Sequence, residues 1–268
     1  MTIGSTAFWW VREPAMADET LQREDIKGIH HLVMNDGPNA LNPTLMDALS
    51  GALSELRDDG APPVLLGSSH PALFCPGWDL KHLEGAERDE VADALARFNR
   101  LIFDLFSYPG PTGVAIQGHA VAGGCLLALC CDLRIMATGR PRIGLSELNL
   151  GVPVPASSLI MLRERLAANV VEELVVGGDG CNADRARNQG VVHRIAEPGL
   201  VAAKTERELA RLAAKPARAF AATKRFLLGD SWRRMSQPGT ADDEAFLECW
   251  FSPETQERIK GTVAGLGT

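Results

Sequence analysis

Apolar positions along the first half of the chain alternate between two kinds of run. Residues 29–34 (IHHLVM) form a short apolar stretch of strand length, and residues 43–58 carry Leu45, Leu49, Leu53 and Leu56 at helical spacing. Asn42 is placed as an N-cap, Pro43 suits the first helical position, and Gly60 follows as a stop. Val64, Leu65 and Leu66 then read as a buried strand. A strand-helix-strand opening favours a sheet with parallel crossovers. Residues 68–85 read as a loop leading into a helix, and residues 88–107 as a further helix. Thr112–Ile116 reads as another strand. Residues 124–132 (GCLLALCCD) are too apolar for a surface helix and predict a buried one. LRIMAT returns to a strand. After residue 150 the pattern is helical, with VVHRIA as the one strand-like run.

Composition narrows the class. Of 268 residues, 46% are hydrophobic and 23% charged, which suits a folded core and excludes a disordered or collagen-like chain. The net charge of −7 gives no basic footprint for nucleic acid. No apolar run approaches the roughly 18 residues of a membrane helix. The first residues lack the basic start and apolar stretch of a signal peptide, so residues 1–25 are expected to be a loose extension, with Met16 as an alternative start. Six cysteines without C-x-x-C spacing suggest reduced, buried thiols in a cytoplasmic protein, and no metal site is expected. His30 and His31 are adjacent in a strand and should face opposite ways, which prevents them from sharing a ligand. There is no fixed-period repeat.

Three segments carry candidate chemistry. Gly118–Gly124 (GHAVAGG) ends a strand and starts the buried helix. The first amides of a helix lack internal partners and favour negative charge, so this turn is either a packing device or an oxyanion site. Phe74–Leu80 (FCPGWDL) is a second glycine turn, which either presents another N–H or is only a turn capped by Asp79. In Gly144–Gly151 (GLSELNLG), Glu147 stands among apolar neighbours. Such surroundings favour the neutral acid, so Glu147 is either an acid/base or a helix-start residue. There is no G-x-S-x-G elbow, H-E-x-x-H pair, P-loop or dinucleotide fingerprint.

Taken in order, NALN, FCPGWDL, AGGC…CDLRI and E-x-x-LG resemble the crotonase, or enoyl-CoA hydratase/isomerase, superfamily over about residues 26–266. The run from Ala120 through Val152 is most like the mitochondrial-type Δ3,Δ2-enoyl-CoA isomerase branch. The resemblance implies an α/β fold of repeated ββα units over residues 26–200 and a helical trimerisation region over residues 201–268. It implies an acyl-CoA substrate, no separate cofactor, and assembly as a homotrimer or hexamer. The N–H groups of Trp78 and Gly123 would hold the thioester oxygen, and Glu147 would move the proton. Ala40, Pro76, Gly77, Trp78, Asp79, Leu80 and Gly123 would lie along the CoA path, with Phe251 and Lys260 near a CoA of the same or a neighbouring subunit.

One departure bears on the reaction. Hydratases of the family carry Glu directly after G-G-C, where this chain has Leu126. An aliphatic side chain cannot accept a hydrogen bond from the attacking water. One base in a drier site suits a 3-enoyl to 2-enoyl isomerisation. Hydration, decarboxylation, isomerisation on an acyl carrier protein and a non-catalytic CoA-binding scaffold are the alternatives. RNA binding, known for some members, fits poorly with the acidic charge. The Trp78 indole is expected either to narrow the acyl channel or to pack at the surface.

Overall fold

The computed structural model describes residues 20–236 and 241–266. The N-terminal segment containing Met16 lies outside the described residues. The chain runs β1 (Leu21–Ile26), β2 (Ile29–Met34), α1 (Pro43–Asp58), β3 (Val64–Ser68), β4 (Leu73–Cys75), α2 (Leu80–Leu83) and α3 (Arg88–Phe106). It continues through β5 (Thr112–Ile116), β6 (His119–Val121), α4 (Gly123–Cys130), β7 (Leu133–Ala137), β8 (Ile143–Gly144) and α5 (Glu147–Leu150). The remainder comprises α6 (Ala156–Arg165), α7 (Ala168–Gly177), α8 (Ala183–Asn188), β9 (Arg194–Ala196), α9 (Val201–Ala213), α10 (Ala217–Met235), α11 (Ala241–Trp250) and α12 (Pro253–Gly265).

The large sheet has the order β1-β2-β3-β5-β7-β9, antiparallel only at β1–β2. A small parallel sheet joins β4, β6 and β8. The first unit keeps both of its strands, β1 and β2, in the large sheet, and from β3 onward each pair of strands sends its first to the large sheet and its second to the small one. Alternation along the strands buries both faces of the large sheet. Leu32, Leu66, Val114 and Met136 face the main core with α1, α3 and α4, whereas Ile29, Leu65, Ala115 and Ile135 pack with Val201 and Leu209 of α9. His31 is buried on one face, where burial pushes it down to about 4, and His30 is half-buried on the other.

The helix starts follow local chemistry. Asn42 caps α1 by accepting from the Leu45 N–H, with Pro43 at the first helical position. Five strands or helices were not visible in the periodicity. β1 is a polar edge strand (LQREDI), so residues 21–25, expected to belong to a loose extension, pair with β2 in the large sheet. β4, β6 and β8 have two or three residues each, too few for a period, and exist through pairing with one another. α12 went unread although Ser252 and Pro253 give it an N-cap and first-turn signal. α10 extends past residue 228 through a break at Gly229 (φ 48°).

A buried ion cluster fastens the C-terminal region to this core. Lys224 of α10 reaches Asp132 Oδ2 at 2.7 Å, and Arg165 of α6 reaches Oδ1 at 3.2 Å. The Thr112 N–H and hydroxyl also donate to Asp132. Desolvation alone would raise the Asp132 carboxyl, but Lys224 and Arg165 outweigh it and hold it below its usual range. The sign follows. This contribution is present at neutral pH and is lost as pH falls through the depressed folded value. Lys224→Met should cost about 3 kcal/mol, because it strips a buried carboxylate of one partner while Arg165 remains. Urea unfolding at neutral pH checks it, and a change under about 0.5 kcal/mol would remove the cluster from the account.

Candidate active site

Two glycine turns meet edge to edge. Leu41 and Trp78 form an isolated parallel bridge, in which the Leu41 N–H donates to the Gly77 carbonyl (2.8 Å) and the Asp79 N–H donates to the Leu41 carbonyl (3.1 Å). Successive peptide groups of extended chain point to opposite sides, so the Trp78 N–H is directed away from Leu41. Gly77 has φ +99°, and a Cβ there would lie 2.9 Å from Ala122 Cβ and 3.2 Å from the Gly123 nitrogen. Only a residue without a side chain lets the two turns approach this closely.

The second turn is an elbow from β6 into α4. Ala122 sits at φ 50°, ψ −123°, a conformation L-residues rarely adopt, and its N–H is fixed by the Gly144 carbonyl of β8 at 2.9 Å. Strain of this kind persists only where the surroundings enforce it. The first α4 bond runs from the Leu126 N–H to the Ala122 carbonyl (3.1 Å), which leaves the Gly123 N–H at the unpartnered start of an apolar helix.

Glu147 opens α5 and is 9% exposed. The Ser146 N–H donates to its Oε2 at 2.9 Å. Burial raises the carboxyl from 4.5 to about 7, against a weaker downward pull from the backbone N–H bonds of Glu147 and Ser146. The short helix is pinned from α12, where the Thr255 hydroxyl donates to the Gly151 carbonyl at 3.0 Å. Glu147 therefore sits on a rigid mount, with a carboxyl raised into the range in which a group can both take and return a proton near neutrality.

Trp78, Gly123 and Glu147 line one cavity of about 280 Å³, with Pro76 and Leu80 also in its wall. Glu147 is the one carboxylate among the described residues that line it. The remaining expected positions lie elsewhere. Gly77 is spent on the turn contact, and Asp79 caps α2 by accepting from the Lys81 and His82 N–H groups. Ala40 is half-buried beside the Leu41 bridge and does not line the cavity. Lys260 lies on the exposed face of α12, whose Thr262 faces the cavity instead. Phe251 packs under the Arg88 guanidinium, 5.9 Å from its ring centre. Leu126 is wholly buried in the main core and is not among the residues that line the cavity.

Sequence reasoning missed the aromatic wall. The Trp78 indole packs into the cavity lining, with ring centres 5.7 Å from Phe98, 5.5 Å from Phe246 and 5.7 Å from Trp250. Phe246 and Trp250 are four residues apart on one face of α11, and that spacing was the available signal. All five cysteines from Cys75 to Cys181 are buried, and burial pushes the Cys75 thiol up to about 12, which makes it inert. No described helix is long and apolar enough to cross a membrane.

A ββα core whose two glycine turns meet beside a buried carboxylate has the frame of a crotonase-type protein. The family model for enoyl-CoA hydratase/isomerase matches residues 24–263, and the chain belongs to that family. The mouse mitochondrial enoyl-CoA hydratase domain-containing protein 2 is 35% identical over 64% of this chain. That match spans 59% of the mouse protein's length. An enoyl-CoA isomerase/hydratase of Mycosarcoma maydis is 30% identical over 70% of this chain and 72% of its own. The crystal structure of human mitochondrial Δ3,Δ2-enoyl-CoA isomerase superposes with a TM-score of 0.88 at 25% identity, over 93% of this chain and 98% of the other.

Proposed function

We propose that the protein is an isomerase that shifts the double bond of a 3-enoyl-CoA to the 2-position. The observation that carries this reading is the single cavity carboxylate, Glu147, raised to about 7 beside the Gly123 helix start. In this reading the thioester oxygen lies between the Trp78 and Gly123 N–H groups. Ionised Glu147 takes a proton from C2, and the two amides hold the resulting dienolate, each contributing up to a few kcal/mol at the transition state. The protonated Glu147 then returns the proton to C4. One group suffices because the acid formed in the first step is the donor of the second. Water addition would call for a second acceptor to orient the water, and Leu126 stands where hydratases of the family carry it. Coenzyme A enters as part of the substrate. Exposed Phe226 and Leu227 on α10 supply an apolar face for the trimeric assembly expected of the family.

Hydration is the second reading, since relatives with hydratase in their names are among the matches. A panel of 3-enoyl and 2-enoyl thioesters, each as the CoA and the acyl-carrier-protein form, separates the two. The expected result is conversion of 3-enoyl-CoA to 2-enoyl-CoA at least ~100-fold faster than hydration of the product. Hydration as fast as isomerisation would sink the isomerase reading.

A further inference from the structure

The active-site cavity stops at Phe246. Beyond that ring lies a second cavity of about 280 Å³, with Val154, Leu159, Ile160 and Ala245 as its apolar wall and Arg163, Arg234 and Asp242 as its charged one, and the two cavities share only Pro155 and Phe246 as wall. Phe246 is 3% exposed and held from two sides: it lies 5.5 Å from Trp78 and stacks on Trp250 at 6.2 Å with the planes 23° apart. A ring fixed by two indoles does not swing aside as a lone side chain would. The space in front of it is at the low end for a ligand pocket, about 300 Å³, and must hold the thioester carbon as well as the acyl chain.

We infer that Phe246 sets the length of the acyl group, so that the substrate is a short-chain enoyl thioester whose tail ends against this ring. The inference rests on the proposed reading for where the acyl group lies. Phe246 touches only the tail, so it is a specificity-determining residue with no part in proton transfer. The second cavity is the space a longer chain would enter if the ring were removed.

Calorimetric titration with saturated butanoyl-, hexanoyl-, octanoyl- and dodecanoyl-CoA tests this without any turnover. A methylene that finds an apolar pocket tightens binding about fourfold. In the wild type the affinity should climb from butanoyl to hexanoyl and then level off or fall. Phe246→Ala should let it climb through dodecanoyl, at least ~10-fold tighter than wild type for that ligand, and weaken butanoyl binding. A wild-type affinity that rises steadily to dodecanoyl overturns the inference, and this series needs no variant to fold. If Phe246→Ala folds, as judged by its thermal transition, yet keeps the wild-type length profile, Phe246 is not the limit. Absence of turnover on every 3-enoyl thioester would count against the isomerase reading alone, because the binding series is read separately.

Discussion

Glu147→Gln should lower kcat for 3-enoyl-CoA isomerisation by about 10³-fold or more while leaving KM within a few-fold. Glutamine keeps the size and the polar end but cannot take the C2 proton. The wild-type enzyme should show kcat/KM rising with pH along a limb centred near 7, because Glu147 must be ionised to act and burial places its carboxyl there. Residual activity of the variant should lack that limb. Stability provides an independent readout. A carboxyl whose folded pKa is raised contributes stability that is fully present below its ordinary 4.5 and lost as pH rises through about 7. Glutamine carries no such cost, so at pH 8 the variant should be more stable than wild type, by up to ~3 kcal/mol. Loss of activity with gained stability is the pattern of a functional group held against its solvation preference. Loss of both together would mark Glu147 as structural, and an unchanged kcat would remove it from the mechanism.

Gly124→Ala should be among the most damaging single-methyl additions in the chain. A Cβ at Gly124 would stand 2.1 Å from the Cys75 carbonyl oxygen and 2.8 Å from the Cys75 carbonyl carbon and Cβ. These are mostly backbone atoms of β4, and β4 is fixed by its pairing with β6, so neither side yields cheaply. α4 would have to move off β4, which separates the Gly123 amide from the Trp78 turn. A destabilisation of about 3–5 kcal/mol is expected, and any folded fraction should show a kcat depressed along with stability. Ordinary helix propensity predicts the opposite sign, a gain of up to ~1 kcal/mol for Gly→Ala. Gly51, in α1 with nothing within 4 Å of its would-be Cβ, supplies the control: Gly51→Ala should be neutral or stabilising. If the two substitutions behave alike in urea unfolding, close approach of α4 to β4 is not what the glycine serves.

The two glycines of the elbow illustrate what could be read from the chain. The turn around Gly123 and the acid at Glu147 were legible because each is a local pattern: a glycine after an apolar run, a lone carboxylate among apolar residues. The same holds for α1, with its Asn42 cap and leucine spacing, and for the strands Val64–Ser68, Thr112–Ile116 and Leu133–Ala137, whose burial on both faces makes them mostly apolar, Arg134 being the charged exception. Local sequence also supplied the choice at Trp78 between channel and surface without deciding it, since an indole is compatible with either.

Tertiary structure decided the rest. β4, β6 and β8 are too short to carry a period and take their form from pairing across more than twenty residues. Phe98, Phe246 and Trp250 come from α3 and α11, and only packing brings them around Trp78 to close the cavity. Leu126 is legible in the sequence as an aliphatic residue at a position where family hydratases carry Glu, and the packing of α4 makes it part of the main core. The Gly123 turn is the clearest case. Sequence alone placed a glycine at the start of a buried helix, which fixes an unpartnered N–H. It could not say that Gly77 would lie against it, or that burial would bring Glu147 to about 7 in the same cavity. Capping, turns and periodicity depend on neighbours along the chain. Convergence and desolvation depend on neighbours in space.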